Sequence, residues 1–507
     1  MSPTVLVLDF GAQYNQLIAR RVREAHVFCE VVPGDISLED LQAKQPAAII
    51  LSGGPSSVFA PDAPGMDPRI LDLGVPTLGI CYGMQLMAHL LKGGVEPAPQ
   101  REYGRTTMEL SLEPSALFQD IKPESVVWMS HGDHVFRAPP GFAVLAHTQT
   151  TPIAAMADPR RNLWAVQYHP EVRHTEDGVR MLQNFLLNIA RVEPSWQPAQ
   201  FIPEAIQQIR ERVGDGRALI ALSGGVDSAV AAALAHEALG PRLSAILIDH
   251  GLMRAGEVEE VARAFPTLDL HVVNREEVFF RALQGVTDPE AKRKIIGREF
   301  IAAFEHAKDT VGDAKVLIQG TVYPDVIESG GKNARTIKSH HNVGGLPEEV
   351  GFDIVEPLRW LFKDEVRNVG LALGLPESIV WRQPFPGPGL AVRIVGEVTR
   401  GKVEIVRQAD AIVRETIAEA GLQRSIWQAF AVLLDIRSVG VMGDERTYGY
   451  PVVVRAVQSD DGMTADWVRL DPELLEKMAH RIIGEVANVN RVVYDVTSKP
   501  PGTIEWE

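Results

Sequence analysis

The stretch Leu222-Ser-Gly-Gly-Val-Asp-Ser228 constrains this chain more than any other. Before it runs Ala218-Leu-Ile-Ala-Leu222, apolar and short enough for a buried strand; after it, Ala229–Ala235 is alanine-rich and helix-forming. A strand that stops, two glycines that permit a tight turn and a helix that starts at once predict an α/β unit with its chemistry at the junction. The first N–H groups of such a helix are unpaired, and the helix dipole adds positive potential, so the junction is a ready anion site. Ser223 and Ser228 add hydroxyl donors. The Asp227 carboxylate would repel a phosphate unless a divalent cation lay between them, so it suggests Mg²⁺. The lysine and spacing of a Walker loop are absent.

A chain of 507 residues is too long for one core and predicts about three domains. Hydrophobic residues make up 45% and charged residues 23%, the balance of a globular protein. The formal net charge of −16 argues against a nonspecific nucleic-acid binder. The two cysteines, Cys29 and Cys81, have no spacing for zinc or a disulfide scaffold and fit a reducing compartment. Met1–Asp9 has no basic n-region, and no apolar run approaches the roughly 20 residues of a membrane span. These features predict a cytoplasmic protein with no nucleic-acid or membrane partner.

The N-terminal region alternates strands and helices. Val5–Gly11, Val27–Val32, Ala47–Leu51 and Thr77–Ile80 read as strands, with a helix over Tyr14–Glu24, which implies a mostly parallel sheet. Thr77–Ile80 runs into Cys81-Tyr-Gly-Met-Gln85, with a helix expected from Gln85 to Leu91. Small residues around one reactive side chain between strand and helix mark a nucleophile elbow. The turn exposes the side chain at a helix N-terminus, where developing negative charge is favoured. Downstream, the strand Trp164–Tyr168 ends in His169-Pro170-Glu171. His169 can serve Cys81 as base, and Glu171 can orient the imidazole and stabilise its charged form. The Tyr82 N–H is a natural oxyanion donor, and the turn at Gly53-Gly54 can bring a second. Cys29 has no motif around it and reads as core.

Ser52-Gly-Gly-Pro55, Gly79-Ile-Cys-Tyr-Gly-Met-Gln85 and His169-Pro-Glu171 resemble the class I glutamine amidotransferases over about residues 4–190. The resemblance implies that Cys81 attacks the side-chain amide of glutamine, releases ammonia and leaves a glutamyl thioester for water to hydrolyse. It puts Gly54 and Tyr82 at the oxyanion positions, and Gln85, Ser130 and His131 where the substrate glutamine is held.

Arg191–Pro198, with two prolines, marks a boundary. The loop at 223–228 resembles the S-G-G-x-D-S loop of the ATP pyrophosphatases, which cleave ATP between the α and β phosphates. That resemblance makes Ser223, Gly224, Gly225, Val226, Asp227 and Ser228 the pyrophosphate site and Asp227 the metal ligand. Leu243–Asp249, Leu270–Asn274 and Lys315–Thr321 read as further strands of a second doubly wound sheet, with Ile248 and Gly320 as adenine and ribose contacts. The basic stretch Asp288–Arg298 is assigned to phosphate. The polar, Gly-rich residues 320–345 read as a long loop, a lid carrying Lys338, His340 and His341.

Past the rigid turn Trp381–Leu390, a strand over Leu390–Val395, a helix over Lys402–Ala420, strands at Ala429–Leu434 and Tyr450–Val457 and a helix over Pro472–Glu485 predict a small α+β domain. The tail Thr497–Glu507, a Pro-Pro-Gly bend with Lys, Glu and Trp, reads as a placed segment rather than a frayed end. Arg382-Gln-Pro-Phe-Pro-Gly-Pro-Gly-Leu390, Lys338-Ser-His-His-Asn-Val-Gly-Gly345, Ile436–Tyr448 and Lys499-Pro-Pro-Gly-Thr-Ile-Glu-Trp-Glu507 together resemble the glutamine-hydrolysing GMP synthase family, across all 507 residues. The resemblance implies ATP with Mg²⁺, XMP and glutamine as ligands. It also implies XMP contacts from Arg293, Arg382, Lys499 and Glu505, and a homodimer through the third domain. The expected domains are 1–192 (amidotransferase), 193–382 (ATP pyrophosphatase) and 383–507 (dimerisation and XMP binding). The fold class is α/β: two doubly wound, mostly parallel sheets and a small α+β domain. Residues 1–190 alone leave open another glutamine-dependent synthetase of the ATP pyrophosphatase type, such as NAD synthetase.

Overall fold

Apolar runs of four or five residues, buried on both faces, build the centre of each of two α/β sheets. The computed structural model describes residues 4–12, 15–198, 201–311, 314–330, 352–442, 445–459, 462 and 464–507. They fall into two compact units, one formed mainly by Met1–Gln197, the other mainly by Pro198–Tyr323 and the residues from Phe352 onward. The expected lid residues Lys338, His340 and His341 lie outside the described residues.

The first unit holds a nine-stranded sheet. Its strands are β1 (Val5–Asp9), β2 (Cys29–Pro33), β3 (Ala48–Leu51), β4 (Thr77–Ile80), β5 (Gly94–Leu110), β6 (Glu124–Arg137), β7 (Ala143–Thr148), β8 (Ala155–Asp158) and β9 (Leu163–Val166). The order is β2-β1-β3-β4-β9-β8-β7-β5-β6. The segment from β2 to β9 is parallel and the rest antiparallel. Every residue of β3, β4 and β9 is buried, as a central parallel strand requires. On β6 the burial alternates instead: Ser125, Val127, Met129 and His131 point inward, as in a strand packed on one face. Ile18, Ala19 and Val22 of the helix Asn15–Glu24 form its buried stripe. The helix expected from Gln85 begins at Tyr82, directly after Cys81.

The second unit carries a five-stranded parallel sheet: β10 (Arg217–Leu222), β11 (Leu243–Asp249), β12 (Asp269–Asn274), β13 (Ala314–Ile318) and β14 (Asp353–Val355), in the order β12-β11-β10-β13-β14. The chain leaves β10 toward β12 and then returns to β13 on the other side of β10. The reversal between β10 and β13 opens a crevice at their carboxyl ends, where ligands of such sheets bind. The basic stretch at 288–298 belongs to one helix, Pro289–Val311.

Two expectations are corrected here. Residues 323–330, read as part of a long loop, form a helix, Tyr323–Gly330. Pro324 sits in its first turn, where a missing N–H costs nothing, and the Tyr323 ring packs on Trp360 and Phe362. The strand expected over Leu390–Val395 is a 3₁₀ turn, Gly389–Arg393, with only Ile394–Val395 as strand. Gly389 has φ +65°, and a Cβ there would lie 2.4 Å from the Leu252 carbonyl oxygen, so the Pro/Gly run ends in a turn rather than an extended chain.

The last sheet joins β15 (Ile394–Val395), β16 (Gln428–Leu434), β17 (Ser438–Met442), β18 (Glu445–Gln458), β19 (Asp466–Trp467) and β20 (Val489–Tyr494), with β18 at its centre. The helices Arg400–Glu419 and Pro472–Glu485 pack together beside it. Leu219, Ile246 and Phe304 share one apolar cluster with Ile412, Val454 and Ile482, so both sheets of this unit grow from a continuous core. No helix among the described residues is long and apolar enough to cross a membrane.

Candidate active sites

Cys81 sits between β4 and the helix Tyr82–Leu90 at φ +52°, a region a side chain other than glycine rarely occupies. Close packing makes the turn this sharp. A Cβ on Gly79 would lie 2.9 Å from the Gly83 backbone, and one on Gly83 would lie 2.4 Å from the Leu51 carbonyl oxygen. The Cys81 N–H donates to Val166 O at 2.8 Å, fixing the elbow against the end of β9. Three residues beyond that same strand end, His169 Nδ1 lies 2.7 Å from Glu171 Oε1. All three side chains are buried. Burial pulls the His169 pKa down, but the Glu171 carboxylate and a hydrogen bond with Cys81 outweigh it, holding the imidazole well above its usual value. Gly53 explains how they fit: a Cβ there would stand 3.0 Å from His169 Cε1 and 3.9 Å from Cys81 Cβ.

Tyr82 is the first helical residue, so its N–H has no acceptor within the helix. Gly54 packs on the Tyr82 side chain, with a Cβ position 3.1 Å from its ring. Ser52 shapes the loop: its Oγ accepts from Phe10 N at 3.0 Å and donates to Gly53 O at 2.9 Å. Gln85 donates to Asp133 O at 2.7 Å, tying the helix to β6. The Ser130 carbonyl faces Cys81 Sγ at 3.7 Å. Beside it, His131 Nε2 lies 3.3 Å from the buried Glu102, and burial lowers the His131 pKa. Gln167 was missed from sequence. It is fully buried, with Nε2 3.8 Å from Cys81 Sγ; its place two residues before His169 was the available signal. Cys29 is buried, its thiol donating to Ala19 O at 3.3 Å.

In the second unit, Ser223–Ser228 follows β10 at the crevice. Ser223 Oγ and Ser228 Oγ are 3.1 Å apart, and Ser228 Oγ donates to Gly225 O at 3.1 Å. Gly225 caps the helix Val226–Leu239 without a side chain, leaving the first-turn N–H groups to an external acceptor. Gly320, beyond β13, closes the other wall: a Cβ there would lie 2.9 Å from the Asp227 carbonyl carbon and 3.0 Å from Ser228 N. Asp227 Oδ2 is 3.3 Å from Lys363 Nζ, and Oδ1 has no hydrogen-bond partner among the described residues. Arg367, one turn after Lys363, also feels Asp227, although burial pulls its pKa down overall. Neither cation carried a sequence signal. Ile248 is buried in the core cluster with Leu252 and Phe279.

The residues expected around XMP are all engaged. Arg382 Nη1 donates to Gly224 O at 2.6 Å and to Glu257 Oε1 at 3.0 Å, and Nη2 pairs with Glu260. The guanidinium thus braces the loop 223–228. Glu505 accepts from Arg393 Nε at 3.2 Å, Arg393 Nη2 at 3.1 Å and Gln428 at 2.8 Å. Lys499 Nζ donates to Gly462 O at 2.8 Å. Arg293 binds the main-chain oxygen of Glu507, and the fully buried Lys292 pairs with the Glu507 carboxylate. Arg455 binds Thr497, Thr503 and Ile504 carbonyls and so holds the tail in place.

A Cys-His-Glu set on an elbow beside a glycine loop, in a sheet of this order, defines a class I glutamine amidotransferase; the family model "Glutamine amidotransferase class-I" matches residues 6–189. A second model, "GMP synthase C terminal domain", matches residues 415–506. The GMP synthase [glutamine-hydrolyzing] of Carboxydothermus hydrogenoformans is 58% identical over 510 residues, covering 100% of both chains. That of Parafrankia sp. is 59% identical over 515 residues, covering 99% of this chain and 96% of its own. The chain belongs to the glutamine-hydrolysing GMP synthase family, ligases that use glutamine as amido donor.

Proposed function

We propose that the chain makes GMP from XMP, ATP and glutamine at two sites. Cys81, His169 and Glu171 release ammonia from glutamine, and residues 223–228 hold the ATP that activates XMP. The single observation that carries this reading is the buried His169–Glu171 pair at 2.7 Å beside a cysteine at φ +52°. At the first site the Cys81 sulfur attacks the amide carbon and His169 carries its proton to the departing nitrogen. Ammonia leaves, and water then cleaves the thioester to glutamate. The Tyr82 and Gly54 N–H groups meet the oxyanion, and Gln85, Ser130 and His131 shape the glutamine side of the pocket.

At the second site the XMP C2 oxygen attacks the α phosphorus and pyrophosphate leaves. Ammonia then attacks C2 of adenylyl-XMP and AMP leaves. A purine oxygen is a poor leaving group, and joining it to AMP removes that difficulty. Ser223, Gly224, Gly225, Val226 and Ser228 cradle pyrophosphate through N–H and hydroxyl donors. Ile248 and Gly320 border the nucleoside. Mg²⁺ fits Asp227, whose Oδ1 is unpartnered among the described residues, because this ion takes one or two carboxylates and keeps its other positions for phosphate and water. When bound it neutralises charge on the phosphates. Arg293, Lys499 and Glu505 border XMP, while Arg382 acts on the loop.

The proposal keeps the domain limits 1–192, 193–382 and 383–507. It includes a homodimer through the third, supported by Val439, Val441 and Tyr448 exposed on the β17–β18 hairpin. A cytoplasmic location is supported by two buried, unbridged cysteines. Pyrophosphate release from ATP, XMP and either glutamine or ammonium tests the reading. Turnover with XMP alone among acceptors is expected; turnover with a deamido dinucleotide instead would favour the NAD synthetase alternative.

A further inference from the structure

Buried charged residues, joined at one point by a main-chain hydrogen bond, run from the tail to the pyrophosphate loop. Arg382 holds the carbonyl of Gly224, which itself sits at φ +78°, so the guanidinium fixes which way this peptide faces. Arg382 is held in turn by Glu257, whose other oxygen accepts the main-chain N–H of Arg254 at 3.2 Å. The Arg254 guanidinium lies 4.4 Å from the Phe385 ring centroid and 3.8 Å from Asp410 Oδ2. Asp410 Oδ1 takes Arg393 Nη1 at 3.0 Å, and Arg393 grips Glu505.

The side chains of Arg254 and Asp410 are 4% and 1% exposed, so both are sealed away from solvent. Burial lowers the Arg254 pKa to about 10, against the pull of Asp410. A core that needed only stability would be served as well by apolar residues of similar size. Asp410 is the main counter-charge of Arg254 and also takes Arg414 Nε at 2.8 Å, while the Arg254 guanidinium donates to the Gln383 and Pro384 carbonyls at 3.3 and 3.0 Å. Removing the Asp410 charge leaves the buried Arg254 facing the Arg393 cation without its main counter-charge, so Arg254 must move, and its main-chain N–H moves with it.

We infer that Arg254 and Asp410 are positioning residues that set the pyrophosphate loop, through Glu257 and Arg382, from the segment that carries Glu505. The inference rests on the proposed ATP site at 223–228. Its effect is that ATP is held productively only when the tail that borders XMP is seated.

The test is a double-mutant cycle on the full chain, with Asp410→Asn, Arg382→Lys and both together, read as ammonium-driven pyrophosphate release. Each single variant is expected to raise the KM for ATP about tenfold. The double variant should be little worse than the more affected single one, since both break one chain. Asp410→Asn should keep the wild-type circular dichroism spectrum and a single cooperative melt of the second unit, showing that it is folded. Multiplying effects, or an unchanged KM for ATP, would overturn the relay. If Asp410→Asn does not fold, Arg254→Lys takes its place in the cycle with the same two outcomes. A wild type that releases no pyrophosphate with XMP would overturn the ATP-site reading and this inference with it.

Discussion

His169 Nδ1 and Glu171 Oε1 are 2.7 Å apart across a single proline, and the second Glu171 oxygen has no hydrogen-bond partner among the described residues. The whole carboxylate is therefore committed to one imidazole. Pro170 restricts the backbone between them, so the pair is built with little conformational freedom to lose.

Glu171→Gln should lower the glutaminase kcat by about 10²- to 10⁴-fold, because the imidazolium formed on attack loses its counter-charge. The His169 pKa is raised in the folded chain from an ordinary 6.5. Its pairing therefore stabilises the fold in full below about pH 6.5, and that contribution fades as pH rises through the folded value. The wild type should exceed Glu171→Gln in stability most near pH 6 and least in alkali. Imidazole NMR titration and denaturant melts at several pH values check both; an unshifted His169 titration in the variant would count against the pairing.

Cys81→Ala should remove glutamine-dependent GMP formation, by at least about a thousandfold, and leave the ammonium-dependent reaction intact. Parallel assays with the two nitrogen sources measure this directly. Loss of both would mean that the variant had disturbed more than ammonia supply.

Gly83→Ala places a Cβ 2.4 Å from a carbonyl oxygen of the central strand β3, where backbone would have to move. A loss of about 3 kcal/mol is expected, with glutaminase activity falling as the elbow opens. Gly132→Ala is the contrast: nothing lies within 4 Å of its Cβ position. It should unfold at nearly the wild-type temperature. Equal melting of the two variants would remove the packing argument for the elbow.

Much of this was legible because it is local. Cys81 between small residues, His169-Pro-Glu171 and Ser223–Ser228 each encode a turn and its chemistry within a few positions. The buried strands β3, β4 and β10 announced themselves as short apolar runs. What stayed hidden depends on distant partners. Gln167 meets Cys81 across 86 positions, Lys363 pairs with Asp227, and Arg393 meets Glu505 across 112 positions. The long β5–β6 hairpin carries mixed polar residues and a bulge, so its periodicity is weak. The helix Tyr323–Gly330 was masked by its own Pro and Gly, which mark ends of helices as readily as loops.

Arg455 gives the strongest handle on the tail. Its guanidinium donates to Ile504 O at 2.7 Å, Thr503 O at 2.8 Å, Thr497 O at 3.0 Å and Asp495 Oδ2 at 2.7 Å, and Trp506 Nε1 reaches the same Asp495 oxygen at 2.9 Å. One side chain from the centre of β18 thus gathers most of the segment 495–506. Arg455→Met would leave those carbonyls and the carboxylate without their donor, a cost of about 3–5 kcal/mol, and the local way to relieve it is to release the tail. The KM for XMP should rise at least about tenfold with glutaminase activity unchanged, and a protease should clip near residue 497 first. Arg455→Lys should fall between, since an ammonium keeps the charge but cannot span four acceptors in a fork. Steady-state kinetics in XMP and limited proteolysis read the two effects separately. A freed tail with an unchanged KM for XMP would show that the segment 497–507 is anchored for stability and takes no part in holding the nucleotide.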